Sequence, residues 1–144
     1  MKSIVYISKA CQQFSQEDLN RLAQKAMEKN GQLDVTGFLS LHDDRFIQYI
    51  EGDENTVEAL FQTIRLDERH KVIKTLSKPL ANGRNFPKWR MKHISSSVYR
   101  ELSVETFILK QLEMMQDCTM DGPAWHEMIW QGIDILADKA DTIN

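Results

Sequence analysis

The segment Val35 to Gly52, VTGFLSLHDDRFIQYIEG, contains the pattern from which the fold can be worked out. Two strand-like runs, 35–41 and 45–50, lie on either side of the polar triplet His42-Asp43-Asp44. Two such runs joined by a few polar residues are typical of a β-hairpin with a short turn. The segment therefore predicts a pair of antiparallel strands at the centre of the chain.

Gln48 is the polar residue that does not fit the apolar side of this hairpin. Side chains alternate along a strand, so Gln48 shares one face with Phe46 and Ile50. The opposite face carries Ile47, Tyr49 and Glu51. An amide left without partners in a core costs about 1–3 kcal/mol. We therefore expect either that this end of the strand is wet or that a polar group lies over Gln48.

Length and composition describe one ordinary domain. The chain has 144 residues, of which 42% are hydrophobic and 27% are charged, as in soluble globular proteins. No run approaches the roughly 20 apolar residues that span a bilayer, and the first residues lead directly into a strand rather than a signal sequence. We expect a cytoplasmic protein without membrane association. Cys11 and Cys118 have no CxxC spacing and are predicted to be free thiols.

Charge is distributed unevenly along the chain. Residues 101–144 carry nine acidic and two basic side chains, a net −7, whereas residues 1–100 carry 16 basic and 12 acidic side chains, a net +4. No dense Lys/Arg stripe is present, which argues against direct binding of nucleic acid. The acidic tail is either a solvated helix face or a surface that meets a partner.

The order of elements in the first hundred residues predicts the fold class. Periodicity and capping signals give strands at 3–8, 35–41, 45–50, 72–76 and 89–95, a helix from Ser15 to Asn30-Gly31, and a helix capped by Asn55 that stops near 67–70. This order is α+β and fits a ferredoxin-like βαββαββ sheet with two helices on one face. We expect the strand order 4-1-3-2 with strands one and three parallel. Tyr6 would then lie beside Gln48, beneath the helices.

Beyond residue 96 the pattern becomes helical. Apolar residues at helical spacing predict one helix over 104–115 and a second after Asp121-Gly122-Pro123, whose apolar stripe is Trp125, Met128, Ile129, Gly132, Ile133 and Leu136. These helices are expected to cover the second face of the sheet. Their exposed remainder is the place for a partner or a second subunit, which predicts a homo-oligomer. We divide the chain into residues 1–96 and a helical extension, 97–144.

The residues alone indicate a polar pocket and no familiar catalytic motif. His42, His70, His93 and His126 show no metal-ligand spacing, and no phosphate-binding loop or nucleophile motif is present. Tyr6 and Gln48 are expected to form a hydrogen-bonded pair whose amide needs a further partner. Asn30 is either a helix cap or a second amide aimed between the helices.

Six short pieces, taken together, resemble one known family. They are IVYIS with Tyr6, the single Asn30, VTGFL, RFIQYIEG with Gln48, LDERH at 66–70, and NFPKWRM ending at Met91. Their order and spacing are similar to those of the BLUF domain, a flavin-binding sensor of blue light, over residues 1–96. The resemblance supplies a partner for Gln48, namely the edge of a flavin.

The resemblance also implies roles for individual residues. Tyr6, Gln48, Trp89 and Met91 match the photoactive positions, while the cofactor-binding positions are Tyr6, Asn30, Gln48, Ile64, Asp67, Arg69 and His70. Light is expected to drive proton-coupled electron transfer from Tyr6 and a rearrangement of the Gln48 amide. By strict alternation Trp89 and Met91 share a face, and both cannot lie beside Gln48 unless the strand bulges.

The implied cofactor is FAD, with FMN and riboflavin as alternatives, because no motif reads the adenine. Since the chain ends at Asn144 without an enzymatic domain, we expect a non-enzymatic photoreceptor that signals to an unidentified protein partner through residues 97–144 in a light-dependent way. Two other classes stay open: a small ferredoxin-like hydrolase of the acylphosphatase type and a light-blind adaptor. Hydrolysis of an acyl phosphate in the dark, or partner binding indifferent to light, would distinguish them.

Overall fold

The structure is a computed structural model that describes residues 1–42, 44–93 and 123–140. Its elements are β1 (Lys2–Ala10), α1 (Gln16–Gln32), β2 (Thr36–His42), β3 (Arg45–Gly52), α2 (Glu54–Arg65), β4 (His70–Pro79), β5 (Arg90–His93) and α3 (Pro123–Lys139). The predicted βαββαββ order is confirmed. The helix predicted over 104–115 and the thiol of Cys118 lie outside the described residues.

The five strands form one sheet in the order β4-β1-β3-β2-β5. The predicted order 4-1-3-2 is confirmed, with β5 added beside β2 in parallel. The expectation that β1 and β3 are parallel is wrong, because they pair antiparallel with Tyr6 opposite Gln48. The crossover through α1 makes β1 and β2 parallel, and the hairpin returns β3 between them in the opposite direction.

Both main helices begin at a side-chain cap. The hydroxyl of Ser15 accepts from the backbone N–H of Asp18 at 3.0 Å, and the carboxylate of Asp18 accepts from the backbone N–H of Ser15 at 3.0 Å. This capping box confirms the predicted start of α1. The cap predicted for α2, Asn55, is wrong: Asp53 occupies that position and accepts from the N–H of Thr56 at 3.2 Å. Asp and Asn cap helices about equally well, so sequence preference did not separate them.

The end of α1 also differs from the prediction. We expected Gly31 to end the helix in a left-handed conformation, but α1 continues to Gln32 and the positive φ, 55°, belongs to Asp34. Asp visits this region more readily than most residues. Arg84 secures the turn, since one of its guanidinium nitrogens donates to the backbone oxygen of Asp34 at 2.6 Å and pairs with its carboxylate at 3.0 Å.

Two apolar cores lie on opposite faces of the sheet. The first joins the sheet to α1 and α2 and includes Ile4, Tyr6, Val35, Leu39, Phe46, Ile50, Val57, Leu60, Phe61 and Met91. The second joins the sheet to α3 and includes Val5, Ile7, Phe38, Ile47, Tyr49, Phe86, Trp89, Ile129, Trp130, Ile133 and Leu136. The prediction that a C-terminal helix covers the second face is thus confirmed for α3. Within the described ranges no helix combines the length and apolarity needed to cross a membrane.

Candidate functional site

Tyr6 and Gln48 form a buried hydrogen-bonded pair at the centre of the sheet. They are directly opposite each other on β1 and β3, and the Tyr6 hydroxyl donates to Oε1 of Gln48. Only 3% of Tyr6 and 6% of Gln48 is exposed. Burial, with a smaller contribution from the charge of Asp67, raises the pKa of Tyr6 far above the ordinary phenol value. The phenol therefore keeps its proton and acts as a donor.

The other end of the Gln48 amide points to Met91. Nε2 of Gln48 lies 3.1 Å from Sδ of Met91, which is fully buried. A thioether is a weak acceptor. The amide oxygen is thus held firmly by a phenol and the amide nitrogen only lightly by a sulfur, which leaves one N–H of Gln48 available to another group.

A local irregularity decides how Trp89 and Met91 are arranged. Met91 has φ +74°, and the pairing of β2 with β5 changes register between Gly37 and Phe38. Such a bulge breaks strict alternation. Met91 therefore joins the core beneath α1 and α2, whereas Trp89 lies on the opposite face and stacks on Phe86, with ring centroids 5.0 Å apart. Of the two, Met91 is the neighbour of Gln48.

A cavity opens between α1, α2 and the sheet, directly above the Tyr6–Gln48 pair. Its volume is about 210 Å³, larger than the roughly 150 Å³ that accommodates benzene in an engineered core. Its lining includes every residue predicted to bind the cofactor, namely Tyr6, Asn30, Gln48, Ile64, Asp67, Arg69 and His70. The lining also contains residues that were not predicted to contact a cofactor, namely Phe14, Leu22, Lys25, Ala26, Lys29, Leu39, Phe46, Leu60 and Thr63. Trp89 and Met91 are not part of it.

Asn30 contributes a buried amide to this cavity from the last turn of α1. The residue is 3% exposed, and its backbone oxygen accepts from the N–H of Val35 at 2.9 Å. Its side-chain amide has no hydrogen-bond partner among the described residues. Because an unpaired buried amide is costly, this side chain is placed to bind a polar group in the cavity.

Asp67 and Arg69 form an ion pair at the mouth of the cavity. Nε of Arg69 lies 2.9 Å and 3.0 Å from the two carboxylate oxygens of Asp67. The hydrogen bond from Arg69 lowers the pKa of Asp67 to about 2, and the same contact raises the pKa of Arg69. Both side chains are therefore charged at neutral pH, and the paired geometry is the planar fork typical of Arg and carboxylate.

His70 is fixed by a hydrogen bond at each ring nitrogen. Nε2 lies 2.8 Å from the backbone oxygen of Ile64, and Nδ1 lies 2.6 Å from Oγ of Ser8. Since a carbonyl can only accept, Nε2 carries the proton, and in the neutral ring Nδ1 accepts from Ser8. The ring centroid is 6.0 Å from that of Tyr6. The imidazole thus forms a rigid wall beside the tyrosine.

Sequence reasoning missed a second polar centre on the opposite face of β3. Glu51 is fully buried and accepts hydrogen bonds from Thr36, Tyr49 and the β4–β5 connection. The sequence contained a signal for this centre, because Glu51 is a charged residue on the same strand face as Ile47 and Tyr49. Its partners in the connection come from distant sequence and could not be predicted from the pattern.

Three comparisons with known proteins agree with one another. The sequence model of the family described as "BLUF: Sensors of blue-light using FAD" matches residues 1–92. A photoactivated adenylate cyclase subunit beta from Euglena longa is 27% identical over 113 residues, which are 78% of this chain and 13% of that protein. The chain thus spans a small part of the length of this curated relative.

Solved structures show the same likeness. The structure of a bacterial light-regulated adenylyl cyclase matches with a TM-score of 0.67 and 27% identity, covering 81% of this chain and 36% of that chain. The dark-state structure of BlrB, a BLUF protein, matches with a TM-score of 0.67 over 92% of this chain and 94% of that one. At 24% identity, the second likeness shows the fold alone.

Proposed function

Because the chain belongs to the BLUF family, the sensors of blue light that use FAD, we propose that its first 96 residues hold FAD in the cavity above Tyr6 and Gln48. Light would then be converted into a rearrangement of the Gln48 amide. The observation that carries this proposal is the hydrogen-bonded chain from Tyr6 through Gln48 to Met91, in which Tyr6 and Gln48 line the cavity. BLUF domains are sensor domains, so we assign them no catalytic role.

The lining suits a flat ring with polar edges. Leu22, Leu60 and Ile64 supply apolar walls, as ligand sites generally do. The orphaned amide of Asn30 and the remaining N–H of Gln48 would hold polar edge atoms of the ring. Lys25, Lys29 and Arg69 at the same cavity would receive the negatively charged phosphates of FAD or FMN, and riboflavin would lack these contacts.

When bound, the flavin supplies absorption of blue light and an excited state that oxidises a phenol. Tyr6 is suited to be the donor, because its buried hydroxyl keeps its proton in the dark. Once the phenol has lost an electron it becomes strongly acidic, and Oε1 of Gln48 is already in place to accept its proton.

The Gln48 amide can then rotate, and the interaction that its nitrogen loses is a weak one. The contact of Nε2 with Sδ of Met91 is weak, so a rotation of the amide gives up mainly the bond to Tyr6. In the rotated amide the nitrogen faces Tyr6, and a different hydrogen bond is offered to the cavity. The chain thus stores the light signal as the orientation of one side chain.

Output is proposed to pass through β5 to the C-terminal extension. Met91 touches Gln48, while Trp89, two residues earlier, lies in the core that also contains α3. A shift of this segment would therefore reach both faces of the sheet. We propose that residues 97–144 present the response to a protein partner or to a second copy of the chain, in a cytoplasmic setting.

Absorption spectroscopy tests the proposal directly. The purified protein with FAD should be yellow, and blue light should shift its spectrum reversibly to the red. Tyr6→Phe should retain the flavin and lose the shift. Ile7→Val is the control, since Ile7 follows Tyr6 on β1 and is also buried but lies in the opposite core, and it should keep the photocycle. A colourless protein that takes up no FAD, or a normal photocycle in Tyr6→Phe, would refute the assignment.

A further inference from the structure

Glu51 is a buried carboxylate whose hydrogen-bonding capacity is filled. Oε1 accepts from the Thr36 hydroxyl at 3.0 Å and from the backbone N–H of Phe86 at 2.6 Å. Oε2 accepts from the Tyr49 hydroxyl at 2.8 Å and from the backbone N–H of Asn85 at 2.8 Å. A carboxylate has about four acceptor positions. All of them are used, which explains how the charge is tolerated at zero exposure.

Two of these donors are consecutive backbone groups of the segment that joins β4 to β5. A carboxylate binds N–H groups about twice as strongly as a neutral acceptor does. Arg84 adds contacts from the same segment, since Nη1 donates to Thr36 at 3.0 Å and lies 3.4 Å from the backbone oxygen of Glu51. The carboxylate of Glu51, three residues along the strand from Gln48, is thus a main anchor of the β4–β5 connection on β3, and Arg84 adds to it.

A short series of backbone hydrogen bonds leads from this anchor to Met91. The carbonyl of Phe86 accepts from the N–H of Trp89 at 3.2 Å. The carbonyl of Trp89 accepts from Gly37 at 2.8 Å and from Met91 at 2.9 Å. These bonds define the bulge in which Met91 takes φ +74° and places Sδ against Gln48. The anchored pair and the sulfur are thus joined by a continuous series of hydrogen bonds.

We propose that Glu51 is a positioning residue of the light response, which acts through the β4–β5 connection to hold Met91 against the Gln48 amide. The inference rests on the proposed function, because it gives Glu51 a part in the same switch. Glu51 itself faces the other core and touches neither the cavity nor Gln48. Its influence on the switch is indirect and depends on the Met91 side chain.

Glu51→Gln tests this proposal, because the amide has the same size as the carboxylate. One of the two carboxylate oxygens becomes an NH₂ group, so one of the two backbone N–H groups would face a donor instead of an acceptor. The protein is labelled with ¹³C at the methionine methyl groups and loaded with FAD, and the Met91 resonance is identified by its loss in Met91→Leu. In the dark, the chemical shift of this resonance should differ between Glu51→Gln and the wild type. Recovery after blue light should slow about two- to fivefold, because the amide returns to a displaced acceptor and a weak hydrogen bond is worth about 0.5–1 kcal/mol.

Two further variants separate positioning from general weakening. Ile7→Val lowers stability in the same core but lies on β1, which β3 and β2 separate from β5, and should change neither the resonance nor the recovery rate. In a Met91→Leu background, Glu51→Gln should have no further effect on recovery. If Glu51→Gln does not yield folded protein, Glu51→Asp, which retracts the charge by one methylene, should move the same resonance and slow the same recovery.

The proposal is overturned if Glu51→Gln lowers Tm while the Met91 resonance and the recovery rate stay unchanged. It is also overturned if Glu51→Gln slows recovery by the same factor with and without Met91. A wild-type protein that shows no light response refutes the proposed function instead. In that case the dark-state Met91 resonance still decides whether Glu51 positions this side chain.

Discussion

The Tyr6–Gln48 pair predicts a specific non-additivity in stability. Gln48→Leu leaves the Tyr6 hydroxyl, in a residue only 3% exposed, without its acceptor, which costs about 1–3 kcal/mol. Tyr6→Phe leaves Oε1 of Gln48 unpaired at a similar cost. The double variant removes both polar partners. The second substitution then leaves no further group unpaired, so it adds little to the loss of stability caused by the first. We therefore expect the double variant to lose about as much as one single variant, a coupling of about 1–3 kcal/mol.

Urea unfolding of the wild type, both single variants and the double variant measures this coupling. All four are studied at a fixed excess of FAD, and the dissociation constant of each is measured so that the contribution of the ligand can be subtracted. Gln48→Leu combined with Leu136→Ala, which lies on α3 across the sheet, serves as the additive control. If the Tyr6 and Gln48 effects add to within about 0.5 kcal/mol, the two side chains are not paired as described.

Three further outcomes are expected. Gly37→Ala should unfold the β2–β5 edge or fail to fold, because its Cβ would lie 1.8 Å from the backbone oxygen of Tyr49; thermal unfolding checks this, and a native Tm would contradict it. The depressed pKa of Asp67, about 2, contributes stability that is complete above its ordinary pKa near 3.9 and is lost as the pH falls toward 2. In Asp67→Asn the free energy of unfolding should therefore fall less steeply as the pH is lowered through this range. An unchanged pH dependence would show that the contact with Arg69 contributes nothing to stability there. Leu136→Ala should cost about 2–5 kcal/mol in urea unfolding, as for a buried leucine, and a cost near zero would mean that α3 does not cover the sheet.

The adjacency of Tyr6 and Gln48 could be predicted from the sequence because it depends on two short-range regularities. Alternation placed Gln48 on the face of Phe46 and Ile50, and the order of elements placed β1 next to β3. Both follow from local patterns and a rule of chain connection. The direction of the β1–β3 pairing was wrong even so. Adjacency did not depend on it, because Tyr6 and Gln48 each lie near the middle of their strands, and the middles of two paired strands meet in either direction.

The position of Met91 could not be predicted, because it depends on a bulge. Its positive φ follows from hydrogen bonds between Trp89, Gly37 and the anchored connection, all set by residues far apart in sequence. The same applies to the left-handed turn at Asp34, which is secured by Arg84 fifty residues later. Local preference favoured Gly31 for the left-handed position, and the tertiary contact of Arg84 with Asp34 overrode that preference.

The central claim is that the Gln48 amide carries the light response, and difference absorption spectra of the wild type and Gln48→Leu test it most directly. Both proteins are loaded with FAD, recorded in the dark, illuminated with blue light and followed during recovery. We expect the wild type to shift reversibly to the red, and Gln48→Leu to remain yellow without a shift. A normal reversible shift in Gln48→Leu would show that the amide is not the switch.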